Sequence, residues 1–443
     1  MSDPRLIRKQ QMAAGRIAVL SHTHPSISKG GAEIAAYSLY TGLRQLGLDA
    51  VFIAACSRQD RRRLCLDPAH ERAVFYDSAE YDHFYHLGTP EIWAQLRAIL
   101  VADDVRTVSV HHFLHFGLNA LRSLMAEPQW DTLVTLHEFL AICHHHGQMI
   151  TRPARLLCDA SSPAACAACY PERTRQQFEM RRDLFLDTLG KAAGFVSPSR
   201  FLADRFVDWG LPRQRIAVVE NGLMGHAATP AAKPRQPDAP WVFGFFGQIN
   251  PFKGVDTLLR AVEALAARPE LAGRLRIRIH GNLIGQPPEF IARFNAMLET
   301  CPLLSYAGPY NNAAVGRLMQ ACDYVLVPSN WWENSPVVIQ EAFAAGRPVI
   351  CSGIGGMAEK VKDGICGLHF GVGDHADLAR VIQAAADAEL HARLRAGVPA
   401  ALDSCAMARD YLAALWRLKN PAPRDRPGKA AVSPVESDQV TAE

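Results

Sequence analysis

The chain of 443 residues has almost no charge bias: 47 Lys and Arg stand against 44 Asp and Glu, which leaves +3 with histidine neutral. So small a surplus is too weak to imply a nucleic-acid partner, and none is expected. No run of about 18 apolar residues occurs, so no membrane-spanning helix is expected. The first residues, MSDPRLIRKQQMAAG, lack the apolar segment of a secretory signal, and the expected location is the cytoplasm. No aspartate pair is spaced Asp-x-Asp. No repeat with a period of roughly 20 to 50 residues is visible. The 11 cysteines are scattered, which argues for free thiols or one metal site and against a disulfide framework. What is present is 49% apolar residues. That is ample for a packed core and, at this length, for more than one domain.

Short β-rich runs alternate with helical windows, the pattern of βαβ units and a parallel sheet. Ile17–Ser21, Ala50–Ala54, Thr107–His111, Thr132–His137, Gly194–Ser197 and Ile216–Val219 read as strands of one half. A helix is expected from about Ala32 to Leu46. The pattern restarts with strands at Trp241–Phe246, Leu275–His280, Tyr324–Pro328 and Pro348–Cys351, and a helix from about Val255 to Ala267. Met224 to Pro240, rich in Pro, reads as the linker. The expected fold class is α/β, with two doubly wound Rossmann-like domains, 1–222 and 223–400, facing across a cleft. A helix at 401–419 is expected to pack back on the first domain, followed by a disordered tail over 420–443. In such sheets ligands sit beyond the carboxyl ends of the strands.

Several clusters at strand ends carry chemistry. Glu333-Asn334-Ser335-Pro336 leads into a helix with Glu341 inside it. Pro336 suits the first turn and Ser335 the N-cap, with Gly346 as the stop. At 1.5 Å per residue Pro336 and Glu341 lie roughly 7 to 8 Å apart along the helix. That separation suits a ligand with a sugar at the helix mouth and a ribose deeper, its phosphates at the positive end of the helix. Lys253-Gly254 follows the strand ending at Phe246, where a lysine can neutralise a diphosphate as a mobile point charge. Gly30-Gly31 follow the first strand, and adjacent glycines let backbone N–H groups approach a phosphate. A dinucleotide fingerprint would need a further glycine, which argues against a nicotinamide dehydrogenase. His111, His112 and His137 end strands, and His22 and His24 follow the first one. His144–His146 have no clear place.

These motifs together resemble retaining nucleotide-sugar glycosyltransferases of family 4, which have the GT-B fold. The likeness covers roughly residues 15 to 405. It is densest in CDYVLVPSNWWENSPVVIQEAFAAGRPVICSGIGGMAEKVKDGICGLHF, which carries the family's Glu, seven residues, Glu motif as Glu333 and Glu341. The family usually reads Gly-Arg, four residues, Lys-Gly after the first strand of the second domain. Lys253 matches the Lys, whereas Gln248 stands at the Arg position and offers only a neutral hydrogen bond. The resemblance implies transfer of a hexose from a nucleoside diphosphate sugar to a glycan, lipid-linked or small-molecule hydroxyl, with retention and without a metal. It implies catalytic roles for Glu333, His137 and Lys253. It places Gly30, Gly31, Gln248, Lys253, Ser329, Asn334, Ser335, Pro336 and Glu341 at the donor, with Ser329 and the Tyr310 loop at its base. Asn221-Gly222 resembles the end of the family's first domain.

Residues 143–172 break the rhythm and hold Cys143, Cys158, Cys166 and Cys169. The last two form Cys-x-x-Cys, half of a tetrahedral zinc site. A structural zinc, free thiols and a disulfide all stay open, and no cofactor is expected for the reaction itself. Arg58, Arg61, Arg62 and Arg63 form either a solvated face or a contact with an anionic membrane or lipid-linked acceptor at the inner face of the membrane. The rival functions are a non-catalytic partner subunit that binds nucleotide sugar, an epimerase or a phosphorylase on the same fold.

Overall fold

The computed structural model describes residues 15–28, 30–152, 154–225, 236 and 238–420. The expected tail, beyond Asn420, and most of the Pro-rich linker lie outside the described residues. The first sheet contains β1 (Arg16–Ser21), β2 (Ala50–Ser57), β3 (Glu71–Tyr76), β4 (Val105–Val110), β5 (Asp131–Thr135), β6 (Gly194–Ser197) and β7 (Ile216–Val218). Their spatial order is β3-β2-β1-β4-β5-β6-β7. The second sheet contains β8 (Trp241–Phe246), β9 (Leu275–His280), β10 (Leu304–Gly308), β11 (Tyr324–Val327), β12 (Val349–Ser352) and β13 (Gly367–Phe370), in the order β10-β9-β8-β11-β12-β13. Every pairing between these strands is parallel.

Each sheet has one point where the strand order reverses, between β1 and β4 in the first and between β8 and β11 in the second. The loops leaving those strands part to opposite sides and open a crevice at their carboxyl ends. Central strands here are covered on both faces and read as continuous apolar runs. Ile17, Ala18, Val19 and Leu20 of β1 are all fully buried, alternating between two separate clusters of the core.

The sequence reading omits β3, β10 and β13. All three are edge strands, and their burial is interrupted. An edge strand leaves part of its surface to solvent and so lacks the apolar run that marks its neighbours.

The helix Ser404–Lys419 returns to the first sheet. Ser404 Oγ lies 2.8 Å from Ser38 Oγ on the helix Gly31–Gln45. Met407, Ala408, Tyr411 and Leu412 join the core around Leu39 and Leu43. Among the described residues no helix is long and apolar enough to cross a membrane.

Candidate active site

In the second sheet the crevice is built from the loops after β8 and β11. Asn250 Oδ1 accepts the N–H groups of Phe252 and Lys253 at 3.0 and 3.1 Å, an Asx turn that fixes the lysine loop. Gly254 adopts φ +68°, and a Cβ there would lie 1.7 Å from the Pro328 carbonyl oxygen. Only glycine lets the two loops touch so closely. The contact brings Lys253 Nζ to 2.6 Å from Glu333 Oε1. The same oxygen accepts from Ser329 Oγ and from Trp331 Nε1, both at 2.8 Å. Glu333 is only 8% exposed. Burial pushes its carboxyl up, but the Lys253 ammonium and the three donors more than offset that and hold it below the usual range. Glu333 is therefore a fixed carboxylate at neutral pH, and none of these bonds uses Oε2.

Ser329, 1% exposed, gives its hydroxyl to Glu333. One expectation changes here: Ser335 does not cap the next helix. That helix runs Val337–Ala344, with Pro336 extended before it and no side-chain cap. Ser335 Oγ instead donates to Glu220 Oε1 at 2.6 Å and accepts from Lys360 Nζ at 2.8 Å. A carboxylate is a stronger acceptor for the hydroxyl than a neutral group. Asn334 Nδ2 donates to the His137 carbonyl of the first half at 3.0 Å.

Glu341 lies inside the helix, and burial pushes its carboxyl up to about 7. It lines a cleft of about 730 Å³ with Gln248, Tyr310 and Arg317, and with Gly30 and Gly31 from the opposite sheet. That size suits a small-molecule site. Gly30, Gly31, Gln248 and Glu341 thus meet in one space, while Lys253, Ser329 and Glu333 form a separate cluster beside it.

In the first sheet the crevice is lined by imidazoles. His137 Nε2 and His111 Nδ1 share a hydrogen bond of 2.8 Å. His22 packs on His112 with ring centroids 4.5 Å apart. His22 Nε2 lies 3.5 Å from Glu33, and His112 Nε2 lies 3.3 Å from Glu138. Burial lowers His111 to about 3. Burial first, and the neighbouring histidines second, hold His22 and His137 well below the usual range. At neutral pH these three rings are uncharged. His24 anchors its loop, with Nε2 3.3 Å from Glu71 of β3 and Nδ1 2.8 Å from Ser26 Oγ.

Cys143, Cys158, Cys166 and Cys169 line one small cavity together with His144 and His145. All four are free. Among the described residues no group of three or more His, Cys, Asp or Glu side chains is arranged to hold a metal ion. Burial disfavours the charged thiolate and so pushes Cys143 and Cys158 up, and Cys166 up to about 11. The histidine run lies here too, with His144 packed against Phe84 at 4.8 Å and Tyr170 at 4.7 Å. Of the arginine run, Arg61 lies over Phe75 and Arg63 pairs with Asp60 at 2.8 Å.

Sequence reasoning misses Asn250, Trp331, Arg317, Glu220 and Lys360. The Asn-Pro step after β8 signals the first, and the tandem tryptophans beside Glu333 signal the second. Nothing local signals the pairing of Glu220 with Lys360.

Comparison with known proteins agrees with this architecture. The family described as Glycosyl transferases group 1 matches residues 240–387, and Glycosyltransferase Family 4 matches residues 29–223. A D-inositol 3-phosphate glycosyltransferase of Nocardioides sp. is 34% identical over 396 residues, covering 83% of this chain and 81% of that protein. One of the same description from Stackebrandtia nassauensis is 36% identical over 203 residues, which are 43% of this chain and 45% of the relative. Among solved structures, Anabaena HepE in complex with UDP superposes with TM-score 0.62 at 17% identity, covering 91% of this chain and 99% of HepE. A Staphylococcus aureus TarM mutant superposes with TM-score 0.63 at 10% identity, covering 90% and 99%. With family matches across both sheets and a relative aligned over most of its length, the chain belongs to the family 4 glycosyltransferases and has their GT-B fold.

Proposed function

We propose that this transferase moves a hexose from a nucleoside diphosphate sugar to a hydroxyl of a glycan, lipid-linked or small-molecule acceptor, with retention at the anomeric carbon and without a metal. The observation that carries the reading is Glu333: a buried carboxylate fixed by Lys253, Ser329 and Trp331 beside a cleft that both sheets line. UDP is the first nucleotide to test, because HepE has been solved with UDP and with UDP-glucose.

In this reading the diphosphate lies between the Gly30-Gly31 backbone and Lys253. The lysine stabilises the charge that develops as the bond from C1 to the phosphate oxygen breaks. Gln248 adds a neutral hydrogen bond. Glu341 accepts from the ribose hydroxyls, most strongly when ionised, because both of its oxygens are then acceptors. Glu333 Oε2 holds a sugar hydroxyl, and His137 meets the sugar from the first half as a neutral ring. The acceptor oxygen bonds to C1 on the face the phosphate leaves, and its proton passes to the departing phosphate oxygen. A carboxylate that already accepts three hydrogen bonds is a weak nucleophile, which favours this single-face route over the double displacement of retaining glycosidases.

The test is thermal stability with UDP, GDP and ADP and their sugars, in the natural chain and in Glu341→Ala. A nucleotide at a hundred times its dissociation constant adds about 2.7 kcal/mol. The expected result is stabilisation by one nucleotide, weakened in the variant. No stabilisation by any of them at millimolar concentration overturns the reading and favours a partner subunit with a degenerate donor site.

A further inference from the structure

We propose that Lys360, with Glu220 and Ser335, forms a clasp that sets the position of Glu333 relative to the first half of the site, which makes Lys360 a positioning residue for the transfer. The kinetic part of this inference rests on the reading above.

Glu220 follows the last strand of the first sheet, and Lys360 ends the helix Gly355–Lys360 of the second. Lys360 Nζ lies 3.0 Å from Glu220 Oε1, with a lysine side chain only 7% exposed. The same oxygen accepts from Ser335 Oγ at 2.6 Å and from the Asn221 N–H at 2.8 Å. Lys360 also donates to Ser335 Oγ at 2.8 Å, which closes a triangle of one cation, one carboxylate and one hydroxyl.

The triangle acts on Glu333 through the chain itself. Trp332 Nε1 donates to the Cys158 carbonyl at 3.2 Å, and Asn334 Nδ2 to the His137 carbonyl at 3.0 Å. Residues 332, 334 and 335 therefore all bond the first half, while Glu333 between them turns back to Lys253. A second strap lies next to Lys360. Glu359 accepts from the N–H groups of Arg200 and Phe201 at 2.9 and 2.8 Å, and so caps a helix of the other half. The loop cannot retreat into its own domain either: a Cβ on Gly356 would lie 1.8 Å from the Asn334 carbonyl oxygen.

An apolar contact between the halves would tolerate sliding, whereas directed bonds to one oxygen do not. A buried ion pair is weak evidence of net stability, and its best-attested use is to fix register. Here the register is that of Glu333 against His137. A shift of about 1 Å at such a site costs around a hundredfold in rate.

The test compares the full chain with Lys360→Met, Glu220→Gln and the double variant. Lys360→Met alone strands a carboxylate and can cost folding, whereas the double variant removes both charges together. The readouts are the steady-state hydrolysis of UDP-glucose with water as acceptor, and amide exchange at residues 200–201 and 332–335. The expected result for the double variant is kcat lowered at least tenfold, KM within threefold, and faster exchange in those two segments alone. Unchanged kcat with unchanged protection overturns the proposal, and so does a loss confined to KM. If the natural chain hydrolyses no UDP-glucose, the exchange result decides alone: unchanged protection still overturns the clasp, and failure of the donor reading is seen separately.

Discussion

The two crevices of this molecule have the same topology and opposite chemistry. Beyond β8 and β11 a lysine and a carboxylate pair at 2.6 Å, with a second carboxylate in the following helix. Beyond β1, β4 and β5 stand His22, His111, His112 and His137, three of them held neutral by burial. The same parallel scaffold positions both sets. What differs is how the charge of each group is managed. At the second crevice, ion pairing and hydrogen bonds keep Glu333 ionised despite burial. At the first, nothing offsets burial, and the imidazoles keep both donor and acceptor capacity without charge. A charged partner such as a diphosphate suits the former, and sugar or acceptor hydroxyls suit the latter.

The comparison breaks most severely at Glu333. Glu333→Gln removes the charge that Lys253 faces, and kcat/KM for donor turnover is expected to fall roughly 10²- to 10³-fold, read by steady-state kinetics. Stability should also fall as pH drops. Its carboxyl is depressed in the fold, so its contribution is present above the unfolded value and is lost as pH falls through the folded one.

His137→Ala is expected to lower kcat by about a hundredfold while donor affinity stays within threefold, as suits a group that only positions the reacting sugar. Calorimetry with UDP alongside kinetics separates the two. Equal losses in both would place His137 in donor binding instead.

The imidazoles make the first half acid-sensitive. Their folded values lie below the unfolded 6.5, so the unfolded chain binds more protons and stability falls as pH drops below 6.5. For His111, at about 3, the loss at pH 5 is about 2 kcal/mol. Amide exchange at pH 7 and pH 5 should show the first sheet losing protection before the second.

Glu341 tests the charged side more gently. With a carboxyl at about 7, it is mostly protonated below that pH and mostly ionised above it. Donor affinity is therefore expected to rise up to about tenfold between pH 6 and 8, and Glu341→Gln should flatten the profile. The same group lowers stability as pH rises from 4.5 toward 7, because the folded state keeps a proton that the unfolded state releases. The smallest effect expected is from Gln248→Arg. Exchanging a neutral for a charged hydrogen bond is worth about 1 kcal/mol, or roughly fivefold tighter donor binding by calorimetry.

Much of the fold is legible because central strands of doubly covered sheets are apolar throughout. Gly194–Ser197, Trp241–Phe246 and Leu275–His280 have the bounds the sequence implies. The edge strands β3, β10 and β13 escape because their burial is interrupted and polar residues break their apolar runs. The same limit holds at the site. The lysine loop and the helix bearing Glu341 are read from spacing along one segment. The partners of Ser329 and Ser335 are not, because each hydroxyl has several neighbours of similar reach and only packing selects one.

By itself the sequence determined the alternation of strand and helix, the two-sheet architecture and the segments that carry Lys253, Glu333, Glu341 and His137. The strands and helices depend on periodicity, which local geometry translates directly, and the site segments stand out because their motifs resemble those of family 4. Only the tertiary structure decided that Lys253 faces Glu333, that Ser335 joins Glu220 and Lys360 in place of capping a helix, and that four cysteines line one cavity. It also decided which groups are charged. Burial and the distance to a partner set protonation, and both come from the docking of segments far apart in the chain.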